Sequence, residues 1–527
     1  MRTAPEFFNL GLKYEERKDL DMAMRCYGQI IALWPKEIAP YHRLSVLALE
    51  QKDPRFALAW LEKGIAVNET IAELWNNRAL ALSELKEYDE AEHAFERALS
   101  LKPDNWEAYY NFGRMRLMQK RFADAEGFLR KAAELDPRSV VTFNNLGLAL
   151  HGMERFDEAI PAFDRAVELE PRYNEARANK GAALYYGHRF TEAEAQLRQA
   201  IALAPGGDSF EAAGAHYNLA SLLLSQGKLI EGFQEYEWRW KTKDWPPIRS
   251  YVRQPQWEGE PLDGQTILIW HEQGAGDTIQ FFRLVAELAK MNCEIEAEVQ
   301  PELHRLFIAS SSLPNVRFHR SGEKLPAFDV HAPLMSLPRL LGIQFETFHP
   351  FKPYLRPRGF EIDEWRRKLK AMTPEKYRKK KRIGIVWAGN PKHPADHQRS
   401  ISWETMKPIV EAHRDRNQFF SLQPGASIPE EERSHVIDLG PELRDFAVTA
   451  AIVANLDLMI AVDTSIIHLA GALGKRVWTI LSHTPDWRWV IGQEKTAWYP
   501  SMTLFLQKKP GVWSDVIAEV SETLALE

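Results

Sequence analysis

Asp277 stands directly behind a glycine turn in the stretch "ILIWHEQGAGDTIQFFRL" (Ile267 to Leu284), where an apolar run ends and an amphipathic helix begins. A carboxylate in that place can take the proton from an attacking hydroxyl, and the positive end of a helix keeps it ionised for the task. Gly274 and Gly276 allow a sharp turn and close backbone approach. The lysine of a kinase-type phosphate loop is missing, so the turn is of another kind. A structural role competes with the chemical one. Asp277 followed three residues later by Gln280 fits a capping box, and a carboxylate can cap with one oxygen and react with the other.

A second constellation is "VDTSIIHLAGALG", in which Asp463 and Thr464 end an apolar strand and Ser465 lies in the first turn of the following helix. Exposed N–H groups at such a helix start suit a phosphate or ligand hydroxyls. His468, three residues beyond Ser465, shares its helix face and can donate to a phosphate or assist a leaving group. The plainer reading makes Asp463 an N-cap and His468 a partly buried helix residue. Between the two stretches, "WAGNPKHPADHQRSIS" sets Asn390, His393, Arg399 and Ser400 in a polar loop after a strand. The fork of Arg399 would neutralise and hydrogen-bond a phosphate at once. Gln423, Gly425, Asp486 and Trp487 are further pocket candidates, while Trp489 reads as core. No Asp-x-Asp pair ends a strand in this half; Asp19 and Asp21 form one earlier in the chain. The expectation is therefore chemistry without a metal or cofactor, with helix N-termini and Arg399 offsetting leaving-group charge.

The elements that must position these residues alternate between strand and helix. "TILIW", "CEIEAEV", "VRFHR" and "FDVHAPL" read as strands, with helix-like "DTIQFFRLVAELAK" and "PELHRLFIAS" between them. After a charged stretch from Glu361 to Arg382 comes a second series: "RIGIVWAG", "QFFSLQ", "HVIDLG", "LDLMIAV" and "RVWTILS". Two parallel α/β lobes in tandem would form a cleft between their carboxyl edges. The basic run Arg378 to Arg382 is short, abuts a buried strand and reads as the solvated end of the connection.

The first half is a repeat. Alanines recur at Ala23, Ala57, Ala91, Ala125, Ala159 and Ala193, each 34 residues after the last. Pro35, Pro103, Pro137, Pro171 and Pro205 share the register, with Glu69 filling the place between the first two, and Tyr88, Phe122, Phe156 and Phe190, and Gly113, Gly147 and Gly181 keep the same step. Small residues let paired helices approach, aromatics fill the space between them, and proline ends the second helix. A less regular seventh copy comes after the insertion "PGGDSF", with Asn218, Gly232 and Tyr236 in the corresponding places. The pattern resembles the tetratricopeptide repeat and predicts a solenoid with a concave face. Asn9, Asn77, Asn111, Asn145 and Asn179 share one further position, with Arg43 in the second copy and Asn218 in the seventh. Asparagine is a poor helix former, so its recurrence calls for a reason. Facing a groove, carboxamides would hold the backbone of an extended peptide. The series is similar to the asparagine ladder of O-linked N-acetylglucosamine transferases, which holds acceptor polypeptide; a merely solvated position is the alternative.

From Glu235 to Asp263 the composition turns to tryptophan, proline and charge, with Trp238, Trp240, Trp245 and Trp257 reading as interface filler. The expected organisation is a solenoid of about seven repeats over 1–240, an ordered strap over 241–262, and Rossmann-like lobes over 263–360 and 361–527.

The motifs "EQGAGDTIQF", "VWAGNP", "FFSLQPG", "DLGPELRDFAVTAAIVANLDLMIAVDTSIIHLAGALGK" and "PDWRW", taken in order, resemble the heptosyltransferase-type GT-B glycosyltransferases. With the repeats included, the likeness is to bacterial proteins that join such a domain to tetratricopeptide repeats, a group that includes flagellin glycosyltransferases. The resemblance implies an α-solenoid followed by an α/β GT-B module of two Rossmann-like lobes. It implies an inverting, metal-independent protein O-glycosyltransferase, with Asp277 as base and the second lobe as the binder of a sugar-nucleotide donor. Donor phosphates meet that lobe where Arg399 stands; the resembling enzymes carry a Lys nearby, so the correspondence departs there. The acceptor it implies is a protein or peptide, flagellin among them. Two other readings stay open: an inactive peptide-binding scaffold, and an enzyme acting on a lipopolysaccharide-type acceptor.

The bulk composition agrees with that class. With 67 basic and 73 acidic side chains the net charge is -6, which argues against a nucleic-acid or anionic-membrane binder. Cys26 and Cys293 are far apart, so neither a disulfide framework nor a zinc site is expected. No apolar run is long enough for a signal or a membrane span, and a cytoplasmic location is the expectation.

Overall fold

The computed structural model describes residues 3–204, 212–242, 252–345, 352–393, 395–425, 428–433 and 435–527. Pro205, the "PGGDSF" insertion and Trp245 lie outside the described residues. The chain divides into two compact units, Met1–Ala215 and His216–Glu527. Among the described residues no helix is long and apolar enough to cross a membrane.

The first unit is built from helix pairs in the register of the repeat. They are α1 (Ala4–Glu16) with α2 (Leu20–Leu33), α3 (Ala39–Glu50) with α4 (Pro54–Val67), and α5 (Ala72–Glu84) with α6 (Tyr88–Leu101). Next come α7 (Trp106–Met118) with α8 (Phe122–Leu135), α9 (Val140–Gly152) with α10 (Phe156–Leu169), and α11 (Asn174–Tyr186) with α12 (Phe190–Leu203). The six alanines in register are fully buried. The glycines work by absence of bulk: a β-carbon on Gly147 would lie 2.5 Å from the Phe163 ring, and one on Gly181 2.6 Å from Leu197. Pro35, Pro103, Pro137 and Pro171 each stand two residues past the end of a second helix, where proline forbids continuation. Each pair turns through one left-handed residue. Lys18, Lys52, Lys86, Lys120, Glu154 and His188 hold φ between 58° and 65° there.

The second unit opens with α13 (Ala213–Ser225), which begins just ahead of the division, and α14 (Leu229–Tyr236), joined through left-handed Gly227 and followed by a 3-10 turn, Glu237–Lys241. The seventh repeat copy therefore packs with the α/β region, whereas the repeat count puts the boundary at 240. Phe233 and Tyr236 of α14 are buried against Phe281 and Trp487 (ring centroids 5.6–6.2 Å apart), which accounts for the shift. Trp257 is buried as the filler expected of it, its backbone N–H bonded to the His331 carbonyl at 2.8 Å.

Two parallel sheets make up the rest. The first has β1 (Thr266–Trp270), β2 (Glu294–Val299), β3 (Val316–Arg320) and β4 (Val330–Pro333) in the order β3-β2-β1-β4. Its register runs from Thr266 opposite Glu294 to Trp270 opposite Glu298, and from Ile267 opposite Val330. The second has β5 (Lys381–Val386), β6 (Asn417–Ser421), β7 (Val436–Asp438), β8 (Leu458–Val462), β9 (Val477–Leu481) and β10 (Met502–Leu506), in the order β10-β9-β8-β5-β6-β7. Every residue of β8 and β9 is buried, as continuous apolar strands covered on both faces should be. All nine expected strands are present, and β10 adds a tenth that the sequence does not announce. The helices are α15 (Ala275–Phe281), α16 (Arg283–Leu288), α17 (Pro301–Ser310), α18 (Leu337–Leu340), α19 (Gly359–Met372), α20 (Asp396–Arg399), α21 (Trp403–His413), α22 (Phe446–Ala454), α23 (Ser465–Ala472) and α24 (Ser514–Ala525).

In both sheets the chain builds outward from a first strand and then returns to that strand's other side. The return falls between β1 and β4, and between β5 and β8. Connections leave in opposite directions at such a point, opening a crevice at the carboxyl ends of the strands where ligands of this architecture bind. Asp277, the Asn390–Ser400 loop and Asp463 come after the carboxyl ends of β1, β5 and β8.

Candidate functional site

Gly274 is the N-cap of α15, with φ of -69°, a conformation open to any residue. A β-carbon there would meet only Asp277 Oδ2, at 3.4 Å, so the turn itself does not demand glycine. Gly276 does. A β-carbon on it would lie 3.0 Å from His468 Cδ2 and 3.3 Å from Ser465 Cα, so its bareness lets α15 meet the start of α23.

Asp277 is the third residue of α15 and not its cap. Its Oδ2 accepts the Gly274 N–H at 3.0 Å, making Asp277 the returning half of the box, and Gln280 is fully buried on the next turn. Its Oδ1 accepts from Arg488 Nη2. The other arm of that guanidinium donates to Asp486 Oδ1 at 2.6 Å, and its carbon lies 4.4 Å from the Trp487 ring centre. The Asp277 side chain is 19% exposed and that of Arg488 8%. Burial pushes the Asp277 carboxyl above the usual carboxylate range, with Arg488 pulling against it and Asp486 adding to it.

Thr464 is the N-cap of α23, so Asp463 sits one residue outside the helix rather than capping it. Asp463 Oδ2 accepts from Trp489 Nε1 at 2.8 Å. Burial, and then the neighbouring Asp486, push its carboxyl up to about 6. Trp489 is core, as expected, with its one polar side-chain atom spent on this carboxylate. Thr464 and Ser465 are part-exposed at the helix start. His468, expected to face the crevice, is buried: its Nδ1 lies 3.3 Å from the Tyr499 hydroxyl and its ring stacks on Trp489. Burial, then Arg488 and Arg399, depress its pKa to about 3, so the ring is neutral.

The loop after β5 is held by two of the candidate residues. Gln423 Oε1 accepts from the Trp387 and Ala388 amides at 3.1 and 2.9 Å, and its Nε2 donates to the Ala388 carbonyl at 3.1 Å. Ser400 Oγ accepts the Gly389 N–H and donates to Asp396 Oδ1, each at 2.8 Å. These two brace the loop that presents Arg399, which reaches Asp396 at 3.5 Å and stays 22% exposed. Asn390 Oδ1 caps the loop's own turn through the Lys392 amide at 3.0 Å. Gly425 takes a left-handed φ of 74° in open space. Burial lowers the pKa of His393, which feels Arg399, Asp486 and Asp277. Four strand ends, those of β1, β5, β8 and β9, thus bring Asp277, Asp463, Asp486, His393, Arg399 and Arg488 into one charged cluster. Sequence reasoning misses Arg488 although Asp486 and Trp487, just ahead of it, are candidates. The signal available is a cation between Asp486 and two tryptophans in "DWRW"; its partner Asp277 lies 211 residues away.

In the first unit the asparagines in register mostly bond to the preceding repeat. Asn111 Nδ2 donates to Asn76 Oδ1 at 3.2 Å and Asn179 Nδ2 to Asn144 Oδ1 at 3.0 Å. Asn145 bonds Tyr110 across the same interval, and Asn77 Nδ2 reaches Ser45 Oγ at 3.4 Å. Asn77 and Asn111 are buried, Asn145, Asn179 and Asn218 partly so, and Asn9 is exposed. Arg43, standing in for asparagine, is paired with Glu15. Lateral bonding between repeats is thus one reason for the recurrence, and each carboxamide keeps capacity beyond the bond it makes.

Family models described as tetratricopeptide repeat match residues 76–140 and 140–173. Protein FlbA of Caulobacter vibrioides is 25% identical over 333 residues, which cover 58% of this chain and 54% of that protein. The chain spans about half the length of that relative. Among solved structures, a tetratricopeptide repeat protein from Parabacteroides merdae is 16% identical, covering 44% of this chain and 91% of its own, with a TM-score of 0.37. PilW, titled a widely conserved type IV pilus biogenesis factor, is 17% identical over 40% of this chain and 97% of its own, also at 0.37. YrrB, titled a TPR protein with an unusual peptide-binding site, is 23% identical over 35% and 95%, at 0.30. Likenesses this distant say nothing about activity. Register, helix pairing and family match agree on one point: the first unit is built of tetratricopeptide repeats.

Proposed function

We infer that the chain is a protein O-glycosyltransferase of the GT-B class, moving a sugar from a sugar nucleotide to a Ser or Thr hydroxyl of a polypeptide. The observation that carries this is the position of Asp277: behind the carboxyl end of β1, in one charged cluster with residues from the ends of β5, β8 and β9. The order of the sheets and the motif series that resembles the heptosyltransferases support it.

Asp277 takes the hydroxyl proton as the acceptor oxygen attacks the anomeric carbon, and the nucleotide phosphate leaves from the opposite side. Each Asp277 oxygen accepts one hydrogen bond, from the Gly274 N–H or from Arg488, and retains a second lone pair for the proton. Arg399 and the N–H groups opening α23 offset the charge growing on the phosphate, so the step uses no metal. Asp463 orients the donor, and the repeat unit binds the acceptor chain; a flagellin-type acceptor rests on the resemblance alone.

The test is transfer by the purified protein across a panel of sugar nucleotides, with a Ser- and Thr-bearing polypeptide as acceptor. Asp277→Asn should lower the rate by about 10²–10⁴-fold, the usual worth of a general base. A variant as fast as the wild type would remove Asp277 from the mechanism.

A further inference from the structure

The last repeat copy touches the two segments that carry Asp277 and Arg488. Tyr236 of α14 receives the Gln273 Nε2–H on its hydroxyl at 2.6 Å, and Gln300 Nε2 donates to the Gln273 carbonyl at 2.9 Å. The residue ahead of Gly274 is therefore tied by side chain and backbone. One position earlier, Arg239 of the 3-10 turn clasps Glu272 with both arms, Nε to Oε2 at 2.7 Å and Nη2 to Oε1 at 3.0 Å. The same network continues from Nη2 to Ser336 Oγ at 2.9 Å and from the Met335 amide to Glu272 Oε1 at 3.0 Å. The side chains of Arg239 and Glu272 are 0% and 2% exposed.

On the other flank, Trp487 stands edge-on to Phe233, with ring centres 5.6 Å apart, and 5.7 Å from Tyr236. The Ile491 amide donates to the Ser225 carbonyl at 3.0 Å. Trp487 in turn underlies Arg488, the partner of Asp277. Asp277 and Arg488 come from segments far apart in the chain. Each is attached, at one remove, to the same short stretch of helix and turn.

We propose that Tyr236 and Arg239 are positioning residues for Asp277: the last repeat forms a buried brace that sets the Glu272–Gly274 turn against the Arg488 segment. The proposal rests on the reading of Asp277 as the base. A buried ion pair is weak as a source of stability but fixes geometry, because its partners tolerate few arrangements. A reactive carboxylate needs such support, since a misplacement of about 1 Å costs roughly 10²-fold in rate. The last repeat copy thereby acts on the geometry of proton removal without itself touching substrate.

The test uses the full chain with Tyr236→Phe, which deletes one hydroxyl, and with Arg239→Met joined to Glu272→Met, which removes both members of the buried pair; Glu237 loses its bond from Arg239 Nη1 and keeps the one from Ser336 Oγ at 3.0 Å. Amide hydrogen exchange over residues 271–281 should quicken in both variants, while exchange in β8 stays at the wild-type rate. Turnover should fall about tenfold or more with donor KM within twofold, and the acid limb of the pH–rate profile should move, because the base's surroundings have loosened. A purely structural brace would leave the limb in place. Unchanged exchange over 271–281 in Tyr236→Phe overturns the proposal, as does an unmoved limb with wild-type turnover. If wild-type protein transfers no sugar from any donor, the functional reading falls by itself, and exchange still decides whether the brace exists.

Discussion

Asp277 and Asp463 are both carboxylates behind strand ends, yet their surroundings differ. Asp277 has a guanidinium on one oxygen and a backbone amide on the other. Asp463 has a tryptophan N–H and another carboxylate in its field, and burial, then Asp486, push its carboxyl up to about 6. A carboxyl raised in the folded state adds stability that is complete below its unfolded value of 3.8 and lost as pH rises through about 6. Asp463→Asn keeps an oxygen for Trp489 and carries no charge at any pH. Its stability relative to wild type should therefore rise between pH 4.5 and 7.5, by on the order of 1–2 kcal/mol after allowing for partial exposure. His468, depressed to about 3, works the other way, contributing above pH 6.5 and losing that contribution as pH falls. It is common to both proteins and cancels in the difference. Paired thermal melts at the two pH values check this; an equal offset at both would mean Asp463 is not held in a proton-retaining site. At this scale the sequence is readable where one residue type comes directly after one strand end. It is not readable for Arg488, whose meaning depends on a partner in another sheet, nor for the burial that makes His468 neutral.

At the scale of elements, strands and repeats are the most legible features, because each is written in a short period. β1 and β3 fall on the residues expected, and the repeat alanines are buried without exception. β10 escapes notice although the polar turn "QKKPG" follows "MTLFL": no helical segment stands between it and β9, so the strand–helix alternation is absent there. The left-handed residue between paired helices escapes for a different reason. Nothing marks it, since lysine, glutamate or histidine stands where glycine would be free of strain. A left-handed conformation costs an ordinary residue about 1–2 kcal/mol, and glycine recovers part of that against its larger unfolded-state entropy. Lys120→Gly should thus stabilise the first unit by about 0.5 kcal/mol, seen as a rise in its denaturant midpoint with unchanged slope. A lower midpoint would show that the Lys120 side chain contributes more than its backbone costs.

Over the whole molecule, the division after Ala215 assigns the seventh repeat copy to the α/β unit, against the repeat count that would end the solenoid at residue 240. Sequence periodicity groups α14 with the helices it resembles; packing groups it with the surface it covers. The two disagree because Leu224, Leu229, Phe233 and Tyr236 are buried in one apolar core with Phe281 and Trp487. A fragment beginning at Lys241 would uncover that face and would also leave Glu272 buried without Arg239. Removing one member of a buried pair costs about 3–5 kcal/mol, before any loss of apolar contact is counted. That is a large share of the 5–15 kcal/mol or so by which a domain is stable. Residues 212–527 should accordingly express as a soluble, cooperatively melting protein, and residues 241–527 should aggregate or melt without a sharp transition. Side-by-side expression with circular dichroism melts decides between the boundaries. Should 241–527 be monomeric and melt as sharply as 212–527, the seventh copy would be dispensable to the α/β unit, and the brace on the Asp277 turn would lose its structural basis.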